Sequence, residues 1–119
     1  MQFSTLGSSG ESVSRICLGS MTWGLQNNQQ DADQQIAYAL TQGINFIDTA
    51  EMYAVPPSAD TYGKTESIIG HYLHNNASQR KDIILASKIA GSGLPWVRNG
   101  GDITGEAVIS SVEASLKRL

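Results

Sequence analysis

The chain has 119 residues, 40% of them hydrophobic and 16% charged, and a formal net charge of −3. That is the size and balance of one globular domain, and a mildly acidic chain gives no electrostatic reason to expect nucleic acid or an anionic membrane as a partner. Cys17 is the only cysteine, so an intrachain disulfide is excluded, and no apolar run approaches the roughly 20 residues that cross a bilayer.

In chain order, Met1-Gln2-Phe3-Ser4-Thr5 lacks the basic and apolar regions of a signal peptide, which leads us to expect a soluble, cytoplasmic protein. Residues 2–6 and 15–19 are β-like runs around the turn-rich Gly7-Ser8-Ser9-Gly10-Glu11-Ser12, and this pattern predicts a hairpin over 2–19. The second run continues into Ser20-Met21-Thr22-Trp23-Gly24, where two glycines let the backbone approach a ligand or simply turn. A helix is expected from Asp31, capped with Gln34 and carrying Ala32, Ile36, Ala39 and Leu40 on one face. Gly43 ends it, and a strand over 45–48 follows.

A loop holding Tyr53, Pro56 and Pro57 leads to a second helix, with Thr65 as its expected cap and Ile68, Ile69, Tyr72 and Leu73 as its apolar face. The strand 82–88 comes next, then a loop from Ala90 to Gly101 with Trp96 and four glycines. Thr104 is the expected cap of a third helix, with Val108, Ile109, Val112 and Leu116 at helical spacing. Strands that alternate with helices imply right-handed crossovers and a parallel α/β sheet. Three strands and a helix still in pattern at Leu119 lead us to expect a piece of something larger.

Two strands end in opposite charges. Asn45-Phe46-Ile47-Asp48 runs into a carboxylate with Tyr53 five positions on, and Asp82-Ile83-Ile84-Leu85-Ala86-Ser87-Lys88 runs into an ammonium. If the strands are parallel neighbours, Asp48 and Lys88 emerge at one rim, with Tyr53 on the loop above. A phenol has an ordinary pKa near 10, and a cation beside it favours the phenolate; an aspartate that anchors the lysine would complete a general acid tuned toward neutral pH. The plain alternative stays open on pattern alone: Asp48 caps a turn, Tyr53 packs in its loop and Lys88 is a solvated strand-end charge.

The stretch from Gly43 to Tyr53, with Tyr62-Gly63-Lys64-Thr65-Glu66, Leu18 to Gly24 and Ile83 to Lys88, resembles the signature of aldo-keto reductases over nearly the whole chain. The insert Ala54-Val55-Pro56-Pro57 is most similar to that of the Tas-type, NADP(H)-dependent members. The resemblance implies the N-terminal part of a (β/α)8 TIM barrel closed at its bottom by the hairpin. It further implies NADPH-dependent reduction of small aldehydes or ketones, with Tyr53 as proton donor, Lys88 lowering its pKa and Asp48 supporting the lysine. Gly19, Ser20, Met21 and Asp48 would lie beside the nicotinamide, and Trp23 and Trp96 would wall the substrate pocket. The family's fourth catalytic residue, a histidine on the next strand, and most of the adenosine-phosphate site have no counterpart here. The chain is therefore expected to be an N-terminal fragment that is inactive alone.

Two other functions compete. One is a non-catalytic, reductase-like binding or regulatory module of the potassium-channel β-subunit kind; the other makes Lys88 a Schiff-base lysine. Weaker signals are set aside. Gly63-Lys64-Thr65 lacks the earlier glycine of a phosphate loop, and Gly91-Ser92-Gly93 lacks the third glycine of a dinucleotide fingerprint. His71 and His74 have no third metal ligand, and Asn76-Ala77-Ser78 is a glycosylation pattern without a secretory signal.

Overall fold

In a computed structural model covering residues 1–119, a two-stranded hairpin, β1 (Phe3–Thr5) and β2 (Ser12–Ser14), precedes a three-stranded parallel sheet. The sheet is β3 (Cys17–Gly19), β4 (Phe46–Asp48) and β5 (Ile84–Ala86), in that spatial order. Helices α1 (Gln29–Thr41), α2 (Lys64–Asn75) and α3 (Gly105–Arg118) follow the three strands in turn. No helix is long and apolar enough to cross a membrane.

The hairpin differs from expectation. Its second strand is β2, which the turn-rich pattern had assigned to the loop, and residues 15–19 leave it. The reason is local: Ser9 Oγ donates to Leu6 O at 2.6 Å and accepts from Glu11 N at 3.1 Å, so one serine closes the turn and pairing resumes at Ser12. Cys17–Gly19 is thereby free to pair in parallel with β4. Asn45 staples the two sheets together, accepting from Ser14 N at 2.7 Å and donating to Ser12 O at 2.9 Å. Because Asn45 precedes β4, the hairpin sits at the amino end of the strands, opposite the Asp48 rim.

Register places Leu18, Ile47 and Leu85 side by side, facing the helices. They meet Ala32 and Ile36 of α1, Ile68, Ile69, Tyr72 and Leu73 of α2, and Ile83 and Trp23 in one core. The apolar faces expected for the first two helices are those that pack. Their caps differ: α1 begins one turn earlier, through a reciprocal box in which Asn28 Oδ1 accepts from Asp31 N and Asp31 Oδ2 accepts from Asn28 N. Thr65 is no cap either. Its hydroxyl is buried and donates to Trp23 O at 2.6 Å, while Gly63 takes the N-cap of α2 with φ 72°.

Thr104 caps α3 as expected, accepting from Ala107 N at 3.1 Å. The face of α3 that packs is not the apolar stripe. Ser111 and Ser115 are buried, whereas Val108, Ile109, Val112 and Leu116 are exposed. Small residues inside let the helices approach backbone to backbone: a Cβ on Gly70 of α2 would stand 1.9 Å from Arg118 O. Strand β5 is also shorter than 82–88, because a 3-10 turn over Ala77–Asp82 takes its first residue.

Candidate active site

Parallel register sets Gly19, Asp48 and Ala86 level at the carboxyl ends of β3, β4 and β5. From this rim the chain brings three side chains together. Lys88 Nζ lies 2.7 Å from Asp48 Oδ2, donates to Thr49 O at 2.8 Å, and sits 4.7 Å from the centroid of the Tyr53 ring. The turn that carries Tyr53 is held by Tyr53 N donating to Ala50 O and Glu51 N donating to Lys88 O, at 3.1 and 3.0 Å. Partial burial pulls the Lys88 pKa down, but hydrogen bonds and charge from Asp48 and Tyr53 outweigh it, raising the pKa above its ordinary value of 10.5. A nucleophilic lysine needs the opposite shift, toward a free amine. The Schiff-base reading therefore finds no support in this environment.

Ser20 and Met21 extend the rim of β3. Ser20 is buried, with Oγ donating to Asp48 O at 2.7 Å, and Met21 is exposed, its carbonyl accepting from Val55 N at 2.8 Å. A Cβ on Gly19 would meet nothing within 4 Å, so the space above that strand end is open. The two tryptophans separate. Trp23, expected in the substrate pocket, is 1% exposed in the helix-side core, where its Nε1 donates to Gln35 Oε1 at 2.9 Å. It is an anchor beneath the rim. Trp96 is exposed on the loop after β5. A groove of about 420 Å³ beside β5 is lined by Leu73, Leu85, Val112 and Leu116; Lys88 borders it, but Tyr53 and Asp48 do not. It is the uncovered flank of the sheet, away from the Tyr53 side of the rim. His71 and His74 are exposed on α2, and no cluster of three metal-binding side chains exists.

Two buried carboxylates escaped sequence reasoning. Glu51 accepts from Ala90 N at 2.7 Å, Tyr62 OH at 2.7 Å and Arg98 Nη1 at 2.9 Å. Glu66 accepts from Ser87 Oγ and from Arg118 Nε, at 2.5 and 2.6 Å. Glu51 lies in the turn after β4 and Glu66 in the first turn of α2, and each arginine comes from at least 47 residues later. The available signal was Glu51 between Ala50 and Met52; Glu66, between Thr65 and Ser67, carried none, and nothing in the spacing named their partners.

The aldo/keto reductase family model matches residues 15–119. Protein tas of Escherichia coli is 40% identical over the whole chain, and a probable voltage-gated potassium channel subunit beta of Arabidopsis thaliana is 32% identical. The chain spans only about a third of these relatives: 35% of the first and 34% of the second. Among solved structures, a putative aldo-keto reductase from Pseudomonas aeruginosa aligns with 98% of the chain at TM-score 0.73 and 30% identity, over 41% of its own length. An aldo-keto reductase from Bacillus halodurans, solved in holo form, aligns with all of it at TM-score 0.76 and 29% identity, over 36% of its own. The hairpin and the βα units are thus the opening part of a (β/α)8 barrel, and the chain belongs to the aldo/keto reductase family.

Proposed function

We propose that this chain carries the proton-donating half of an NADPH-dependent reductase of small aldehydes and ketones, with Tyr53 as the acid. The observation that supports this most directly is the Lys88 ammonium, 4.7 Å from the Tyr53 ring centroid and 2.7 Å from Asp48. A cation held there stabilises the charge left when the phenol gives its proton to a carbonyl oxygen. Asp48 and Thr49 O hold that cation in place.

The residues present suit the nicotinamide end of the cofactor: open space over Gly19, the exposed side chain of Met21, and the Asp48 carboxylate at the same level. When bound, NADPH supplies the hydride. Tyr53 then delivers the proton and Ser20 braces the β4 rim through Asp48 O. The remaining requirement, the family's histidine and the adenosine-phosphate grip, lies outside these residues. Alone, the chain is expected to reduce no carbonyl compound.

The test replaces Tyr53 with Phe in a protein that carries this chain within a complete barrel, with NADPH and 4-nitrobenzaldehyde as probe. Turnover should fall by about 10²–10⁴-fold, the usual worth of a general acid, while NADPH still binds by fluorescence titration. Unchanged turnover would remove Tyr53 from the chemistry. A second reading, a cofactor-binding regulatory module, is favoured by the similarity to the potassium channel subunit. It predicts NADPH binding with negligible turnover in the unaltered protein.

A further inference from the structure

Glu51 lies two residues before Tyr53, in the turn that presents it, and it is 1% exposed. Burying a carboxylate is costly unless it is fully paired, and here the pairing reaches across several segments. Through its backbone, Glu51 donates to Lys88 O and accepts from Gly63 N, both at 3.0 Å. Through its carboxylate it holds Ala90 N, just past Lys88, together with Tyr62 OH and Arg98. Arg98 is itself braced. Its Nη1 donates to Ser111 Oγ of α3 at 2.6 Å, its Nη2 donates to Ala90 O, and its backbone sits at φ 49°. A non-glycine residue holds that left-handed conformation only when its surroundings over-determine it.

The consequence is geometric. Lys88 and Tyr53 belong to different loops, and their side chains meet at a half-exposed rim where the Lys88–Asp48 pair alone is solvent-softened. What fixes one loop against the other lies below, at Glu51 and Arg98. We propose that Glu51 and Arg98 are positioning residues that lock the turn bearing Tyr53 onto the segment after β5 that bears Lys88. Neither side chain hydrogen-bonds to the Tyr53 hydroxyl or the Lys88 ammonium; they act on the loops that carry them. The inference rests on the reductase reading for its catalytic meaning, but the lock itself is a property of the chain.

Two readouts test it. In the 119-residue chain with lysine labelled with ¹³C at Cε, and its ammonium left unmodified, NMR follows the titration of Lys88, assigned with Lys88→Arg. The variants are Glu51→Gln, Arg98→Lys, which keeps the charge and loses the forked geometry, and the milder Ser111→Ala, which keeps both ions and removes one brace. The expected result is that the Lys88 midpoint falls toward 10.5 in each variant that remains folded, least in Ser111→Ala. In the complete barrel, Arg98→Lys should lower kcat at least tenfold with the KM for 4-nitrobenzaldehyde unchanged within twofold. A Lys88 titration that stays in place while thermal stability drops would make the pair merely structural and overturn the proposal. Loss of positioning and failure of the reductase reading remain separable. If Tyr53→Phe left turnover intact, the function would fall while the Lys88 titration still decided the lock.

Discussion

Lys88 and Asp48 are forty residues apart in sequence and 2.7 Å apart in space, Asp48 ending β4 and Lys88 standing two residues past the neighbouring parallel strand β5. Both side chains are nearly half exposed, at 49% and 41%. Exposed ion pairs contribute little to stability, about 0–1 kcal/mol, so the pair is better understood by what it holds than by what it stabilises.

Lys88→Met should therefore separate activity from folding. Urea denaturation should show a loss of no more than about 1 kcal/mol. If Tyr53 is the proposed acid, carbonyl reduction by a complete barrel carrying this chain should fall by about 10²-fold or more, the worth of a general acid that loses its supporting charge.

Glu51 behaves in the opposite sense. Burial raises its carboxyl pKa, yet the Ala90 N–H, Tyr62 and Arg98 outweigh burial and hold it below the ordinary value of 4.5. The unfolded chain binds the proton more readily than the folded one, so this stabilisation is complete above pH 4.5 and is lost as pH falls through the lowered folded value. Urea midpoints measured from about pH 6 down to about pH 3 should decline in the native chain. Glu51→Gln should flatten that part of the decline, from a lower starting point: leaving Arg98 without its counter-ion costs about 3–5 kcal/mol.

Ile69 is fully buried between α2 and the sheet. Ile69→Ala should cost about 2–5 kcal/mol, the range for emptying a packed aliphatic site, without altering the rim geometry. Denaturant unfolding checks the first, and the Lys88 titration the second.

Gly70→Ala adds a single methyl where α2 meets the end of α3. With Arg118 O only 1.9 Å from the new carbon, one helix must move, and the Arg118–Glu66 bond moves with it. A loss of about 1–3 kcal/mol is expected, as for other overpacked sites, with far-UV circular dichroism retained. Gly70→Ala stability equal to that of the native chain would mean that the close approach is not maintained in solution.

How much of this was legible beforehand follows from which interactions are periodic. The packing faces of α1 and α2 were readable because Ile36, Ile68, Ile69 and Leu73 recur at helical spacing and do face the core. The rim residues Asp48 and Lys88 were readable because each ends an apolar run. The hairpin partner was missed because Ser9 closes its turn by a side-chain bond, which carries no periodic signal. The α3 stripe misled for a different reason. Spacing marks an apolar face but not which face meets the rest of this chain, and here Ser111 and Ser115 do. Trp23 was assigned to the pocket by resemblance, whereas its burial and its indole bond to Gln35 place it in the core. Ion pairs as distant as Glu51–Arg98 leave no local pattern at all.

The pairing order of the parallel sheet is the order of its strands along the chain, with β4 between β3 and β5. Each strand joins a neighbour that has already been synthesised, and none must wait for a later segment to be inserted between existing ones. During translation, Gly19, Asp48 and Ala86 can thus come level as soon as β5 clears the ribosome, with Lys88 two residues behind. Asp48 and Lys88 are brought together early in the life of the polypeptide.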